Sequence, residues 1–418
     1  MKCEIHYGSK LIEIECPDER TALIEPNKVS PVEDERGEII NALNNPIGTK
    51  KLEAILKGKN NVMVICDDIT RPTPTEVILP ILLDRINEAG INDEKITVMI
   101  ALGTHRLMDE DEIVRKVGDE TLSRVKVVQN EWMKKENLIF MGKTELGIPI
   151  YINKLVVKAD AKIGVGVITP HLRAGFTGGG KIIQPGVCGS ETTGYTHLIA
   201  SKFGMENMIG NPENPVRKEI EAIAEKVGLD FIVNVILNVE KKLVKAVAGH
   251  FIKAHRVGVE YSMKVCGVEL PFEPDVVIAD SYPSDIELWQ AIKGLVPAVL
   301  SVKEGGSIAF ITPCYEGVSK THPDVAKFGY RTYDEIKELV DKGVIKDLVA
   351  AAHLSVLPIS KIRKCWMYTE GIPKEVVEHL GFNYAESPQE AVDKAIESQP
   401  PDAKILVIRS SPYVLPIK

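Results

Sequence analysis

The 418-residue chain contains no CxxC pair. Its seven cysteines lie scattered at positions 3, 16, 66, 188, 266, 314 and 365. Zinc-finger and iron–sulfur spacings are thereby excluded, and an odd, dispersed set does not make a disulfide framework. A reducing, cytoplasmic setting is expected. The chain has no run of about 18 apolar residues, the length a membrane-spanning helix needs. The start, Met1-Lys2-Cys3-Glu4-Ile5-His6, lacks the apolar core of a secretion signal. A surplus of basic charge is missing too, since the formal net charge is −8. Nucleic acid and membrane surfaces are therefore not expected as partners, and any anionic ligand needs a local cluster of cations. Short-period repeats and low-complexity tracts are absent.

What is present is ordinary globular composition, 44% hydrophobic and 26% charged. A chain of this length predicts two or three domains. Residues 2–7 and 10–16 read as a hairpin around Gly8-Ser9. Residues 17–60 read as connections plus a short helix near 47–58. Val62 to Cys66, Ile96 to Leu102 and Ala161 to Ile168 are continuous apolar runs, the pattern of strands buried on both faces of a parallel sheet. Thr73-x-x-Glu76 around Pro74 reads as a capping box opening a helix to about Glu88. Val268 to Pro274 is the best linker. Beyond it the alternation restarts, with strands at 276–280, 307–312, 354–359 and 405–409. Ser284-x-x-Glu287 reads as the cap of a helix carrying Trp289, Gln290 and Lys293. The expected fold class is α/β, with an N-terminal domain over 1–268 and a C-terminal domain over 275–418, both with largely parallel sheets.

Each of the three apolar runs of the first half ends in polar residues. The first delivers Asp67, Asp68, Thr70 and Arg71, the second His105, and the third His171. Open α/β sheets bind ligands at that edge. After His171 comes Arg173, then Gly175, Gly178, Gly179, Gly180 and Lys181. Gly175-x-x-x-x-Gly180-Lys181 matches a phosphate loop except at its last position, where Ile182 stands in place of the magnesium-binding Ser or Thr. A lysine closing such a loop is an anion clamp or a nucleophile. Two histidines from different strands suit a reaction needing an acid and a base. Arg71 reads as a carboxylate clamp or as the salt-bridge partner of Asp67 or Asp68. Trp289, Gln290 and Lys293 lie within one helical turn and share a face.

Taken together, Asp68-x-Thr70-Arg71-Pro72, Gly103-Thr104-His105-Arg106, His171 with Gly178-Gly179-Gly180-Lys181, His197 and Gln290-x-x-Lys293 resemble the nickel-pincer lactate racemase family. The resemblance implies two α/β domains with the active site in the cleft between them. It implies a nickel-pincer nucleotide, a pyridinium-3,5-bisthiocarboxylic acid mononucleotide, covalently linked at Lys181, with His197 as the one protein ligand of nickel. It implies His105 and His171 as acid/base pair, Arg71, Trp289, Gln290 and Lys293 at the substrate, and Asp68, Thr70 and Gly178 to Gly180 around the cofactor. Trp289 stands where the lactate enzyme has tyrosine. The implied partners are a small 2-hydroxy acid and the cofactor-synthesis enzymes. A nucleotide- or phosphate-binding module with Lys181 as plain anion clamp is the alternative.

Overall fold

The structure is a computed structural model that describes residues 1–417. The chain divides into two compact units. The first comprises residues 28–196 and 207–265; the second comprises 1–27, 197–206 and 266–418.

The first unit is built on a six-stranded sheet in the order Leu243–Gly249, Phe231–Leu237, Ala161–Val167, Val62–Asp67, Ile96–Ala101, Lys126–Gln129. All pairings are parallel except the Phe231–Leu237/Leu243–Gly249 hairpin. The three apolar runs are adjacent central strands, and Ala161–Val167 is buried at every position. Strands with helices on both faces must be apolar on both faces, which is why they read as unbroken runs. Val62–Asp67 pairs with Ile96–Ala101 on one side and Ala161–Val167 on the other. The connections diverge there, so the carboxyl ends of Val62–Asp67 and Ala161–Val167 flank a topological switch point. Leu138–Lys143 and Pro149–Asn153 form an antiparallel hairpin.

The second unit holds a six-stranded, all-parallel sheet in the order Asn383–Tyr384, Cys365–Tyr368, Ser307–Ile311, Val276–Asp280, Ile405–Ile408, Thr21–Ile24. The hairpin Lys2–Tyr7/Lys10–Glu15 belongs to this unit. Sequence order alone assigns residues 1–27 to the N-terminal domain. The edge strand Thr21–Ile24 pairs instead with Ile405–Ile408, and that pairing carries the first 27 residues to the other unit. His197 also falls in the second unit.

Local expectations fail at four places. The expected strand at 354–359 is the end of the helix Leu348–Leu354, a coil, and the start of the short helix Ile359–Ile362; the strand is Cys365–Tyr368. Three consecutive alanines upstream favour the helix. The 17–60 stretch also contains the strand Thr21–Ile24 and the helix Glu35–Asn44. The Thr73/Glu76 box does not cap its helix, which starts at Thr75 without a side-chain cap. Helix Leu288–Ser301 likewise starts without one, at Glu287 rather than Ser284.

Candidate active site

Asp67 and Asp68 end the first central strand, and a buried cation shapes the loop that follows. Lys116, 3% exposed, pairs with Asp67 Oδ1 at 2.8 Å. Its ammonium also donates to the carbonyls of Arg71 at 3.0 Å and Thr73 at 3.2 Å. The Thr73 hydroxyl donates to Asp67 Oδ2 at 2.5 Å, which explains the missing helix cap. Arg71 pairs with neither aspartate: Nη1 donates to the Thr70 carbonyl at 3.2 Å and to Thr70 Oγ1 at 3.0 Å. The salt-bridge reading of Arg71 is thereby replaced.

Asp68 is buried and spends its carboxylate locally. Oδ1 accepts from the Thr70 amide at 3.1 Å and the Thr70 hydroxyl at 2.6 Å. Oδ2 lies 2.6 Å from His105 Nδ1. Burial pushes this carboxyl up, but the His105 ring, Arg71 and Thr70 together hold it well below the usual carboxylate range. An ionised Asp68 accepts only, so His105 Nδ1–H donates to it. Trp132 Nε1 donates to the His105 carbonyl at 2.8 Å and fixes its backbone.

His171 has the opposite arrangement. Pro170–His171 pairs antiparallel with Gly175–Phe176 in a tight turn. That turn aims the amides of Arg173 and Ala174 at His171 Nδ1, both at 3.2 Å. An accepting Nδ1 places the proton on Nε2. The two rings thus differ at Nδ1, which donates to a carboxylate in His105 and accepts backbone amides in His171.

The glycine loop is bound from beneath. Gly179 N–H donates to Asn234 Oδ1 at 2.8 Å, and His255 Nε2 lies 2.9 Å from the Thr177 carbonyl. A Cβ on Gly178 would meet Ile168 Cγ1 at 2.7 Å, and one on Gly179 would meet the Phe251 carbonyl at 2.9 Å. Both have positive φ, 75° and 59°. These glycines therefore answer to close packing of the loop on its own unit and to the left-handed backbone. Lys181 is half-buried. Its amine makes no hydrogen bond or ion pair among the described residues. Burial, then Arg71, Arg217 and Arg173, hold that amine well below its ordinary value, with Asp68 acting in the other direction.

The first unit thus carries Asp68, Thr70, Arg71, His105, His171, Gly178, Gly179, Gly180 and Lys181. The second carries His197, Trp289, Gln290 and Lys293. In the second unit, the Trp289 indole stacks on His322 at 4.3 Å and on His353 at 4.2 Å, with interplanar angles of 21° and 14°. Two imidazoles so close and so parallel cannot lie side by side on one face, so they cover both. Asp347 Oδ2 lies 2.6 Å from His322 Nδ1, and the Tyr330 hydroxyl 2.8 Å from His353 Nε2. Trp289 therefore presents an edge, not a face. On the same helix, Lys293 Nζ donates to Gln290 Oε1. His322, His353, Lys116 and Arg217 stand in none of the sequence motifs. Stacking partners distant in sequence leave no local signal, and a buried cation on an amphipathic helix reads as a surface residue.

No group of three or more His, Cys, Asp or Glu is placed to hold a metal among the described residues. No helix among them is long and apolar enough to cross a membrane.

The profile of the lactate racemase N-terminal domain matches residues 7–207, and that of the lactate racemase C-terminal domain matches 271–414. Lactate racemase of Thermoanaerobacterium thermosaccharolyticum is 31% identical over 97% of this chain and 96% of its own length. That of Lactiplantibacillus plantarum is 29% identical over 91% of this chain and 90% of its own. The solved lactate racemase apoprotein from T. thermosaccharolyticum is similar with a TM-score of 0.88 at 29% identity, covering 100% of both chains. A Thermotoga maritima protein shares the fold, with a TM-score of 0.72 at 21% identity over 91% of this chain and 98% of that one. With both domains matched and a 31% identical relative aligned over nearly the whole chain, the chain belongs to the lactate racemase family and is an isomerase of the racemase class.

Proposed function

We propose that the protein interconverts the stereoisomers of lactate or a related 2-hydroxy acid. It would use a nickel-pincer nucleotide anchored at Lys181, with His105 and His171 as the acid/base pair. The observation that carries this reading is the opposite hydrogen-bond role of Nδ1 in the two histidines, donor to Asp68 in His105 and acceptor of backbone amides in His171. A racemase must take a hydroxyl proton on one side and return one on the other, which requires one ring ready to accept and one ready to donate. The cofactor fits the residues present. Lys181 offers an amine not spent on any contact, and Arg71 and Arg173 add positive charge around it. His197 would be the nickel ligand, with Asp68, Thr70 and Gly178 to Gly180 near the nucleotide.

When bound, the nucleotide supplies a reversible acceptor for the substrate's α-hydride. The chain's own residues do the rest. His105 Nε2 takes the hydroxyl proton as the α-carbon is oxidised to a 2-oxo acid. Asp68 stabilises the imidazolium that forms. Arg71, Gln290 and Lys293 hold the substrate, so the 2-oxo acid turns without leaving. His171 Nε2–H protonates the carbonyl oxygen as the carbon is reduced on its other face. In the reverse direction the two histidines exchange roles. Trp289, which replaces the family tyrosine and offers no phenolic hydroxyl, alters the substrate side and bears on which 2-hydroxy acid is taken.

Chiral chromatography of a panel of 2-hydroxy acids tests the reading, using protein produced with the cofactor-synthesis enzymes and nickel. Racemisation or epimerisation of at least one acid is expected; none would sink the proposal. Intact mass separates it from a plain phosphate-binding module, which would leave Lys181 unmodified in the same preparation.

A further inference from the structure

The Trp289 stack is held from behind by a single carboxylate. Asp347 Oδ2 lies 2.6 Å from His322 Nδ1. Its other oxygen accepts the amides of Val349 at 2.9 Å and Ala350 at 3.1 Å, which caps the helix Leu348–Leu354. His353 lies on that helix. Asp347 therefore holds one imidazole directly and seats the helix that carries the other. His353 is tied a second time, by the Tyr330 hydroxyl 2.8 Å from its Nε2. Tyr330 in turn meets Phe382 edge-on, with ring centroids 5.7 Å apart. Both imidazoles are 1% exposed, and the indole between them is half-buried. The Trp289 amide donates to the Val318 carbonyl at 3.0 Å, so the backbone under the indole is fixed as well. An indole with a ring on each face cannot change rotamer without breaking a stack, and it has no face left for a third ring. Lys293, four residues on, shares its side of the helix.

We propose that His322 and His353 are specificity-determining positioning residues: they fix Trp289 edge-on as a rigid wall beside Lys293, and that wall admits 2-hydroxy acids with small, non-aromatic side chains and turns away larger ones. The inference rests on the reading of Trp289 as a substrate-binding residue. A side chain free to swing aside makes room at little cost, whereas one held between two buried rings makes room only by breaking the stack. An aromatic substrate would also find both indole faces taken.

Two measurements test this, one of them independent of turnover. In the full-length, cofactor-free protein labelled with fluorotryptophan, the fluorine resonance of Trp289 is assigned by its loss in Trp289→Phe. His322→Ala and His353→Ala should each shift that resonance, because each removes a stacked ring, and should leave that of Trp132 in place. In the enzyme loaded with cofactor, kcat/KM is measured for lactate, 2-hydroxybutyrate and phenyllactate. The unaltered enzyme should favour the two small acids. The phenyllactate-to-lactate ratio should rise about 10-fold or more in each alanine variant. His353→Phe, which restores a flat ring, should return the ratio toward the unaltered value. A purely structural role would lower all three acids together and leave the ratio alone. An unmoved Trp289 resonance or an unmoved ratio would overturn the proposal, as would an unaltered enzyme that takes phenyllactate as readily as lactate. If circular dichroism shows one alanine variant unfolded, the other variant and the selectivity of the unaltered enzyme still decide. Turnover of no acid by any form would defeat the functional reading, and the resonance would then decide alone whether the stack holds Trp289. Turnover with an unmoved ratio would leave the functional reading standing and defeat this one.

Discussion

Both six-stranded sheets end their central strands in polar residues, but the two edges spend those residues differently. In the second unit, Asp280 closes the strand Val276–Asp280 and accepts the amides of His6, Ser410 and Ser411, each at 3.1 Å. Ser281 donates to Thr312 at 2.6 Å, and Thr369 to the Pro313 carbonyl at 2.9 Å. That edge uses its side chains to hold backbone. In the first unit the backbone is held by cations set back from the edge, Lys116 under one loop and Arg217, which donates to the Ala174 and Gly178 carbonyls, under the other. Of the polar residues along that edge, the Lys181 amine is left with no such holding contact among the described residues.

Three changes would break or sharpen this contrast. The largest effect is expected from Asp68→Asn, which removes the charge that fixes the His105 tautomer and stabilises the imidazolium. Turnover of the loaded enzyme should fall on the order of 10³-fold with little change in KM. Chiral chromatography at saturating substrate measures it, and near-normal turnover would deny Asp68 its part. Next, Lys116→Met leaves Asp67 as an unpaired, largely buried charge and frees the Arg71 and Thr73 carbonyls. A loss of about 3 kcal/mol or more is expected in denaturant unfolding. A loss under about 1 kcal/mol would show that the loop holds itself.

The third change concerns pH. Burial pushes the Asp280 carboxyl up to about 7, against the three amides that favour its charged form. An unfolded aspartate titrates near 4. Because the folded value is the higher one, this group's stabilising contribution is complete below about pH 4. It declines as pH rises and is gone above about 7, by at most ~1.4 kcal/mol per pH unit. Thermal unfolding of the cofactor-free protein from pH 4.5 to 7.5 should show the decline, and Asp280→Asn should flatten it. An equal slope in both proteins would remove Asp280 as its source.

Much of the first unit was legible because buried parallel strands leave unbroken apolar runs, and Val62–Asp67, Ile96–Ala101 and Ala161–Val167 fall where those runs do. His105 and His171 stood out as the polar residues just beyond them. The Thr73 box misled because a threonine hydroxyl bonds the nearest strong acceptor. Asp67, six residues earlier, is brought back to it by the loop. Thr21–Ile24 was missed because four residues at a sheet edge carry too little pattern to separate from coil. Trp289 was readable as a member of a polar helix face, but not as the middle of a three-ring stack closed by His322 and His353.

The sequence by itself determined the fold class, the central strands, the loops that end them and the family, since each rests on local pattern and spacing. Tertiary structure alone decided which unit holds residues 1–27 and His197. It also decided what Nδ1 of each histidine bonds to, and that the loop ending in Lys181 rests on a buried arginine. Those outcomes depend on contacts between residues tens to hundreds of positions apart, where hydrogen-bond capacity and buried charge are settled by proximity rather than by order along the chain.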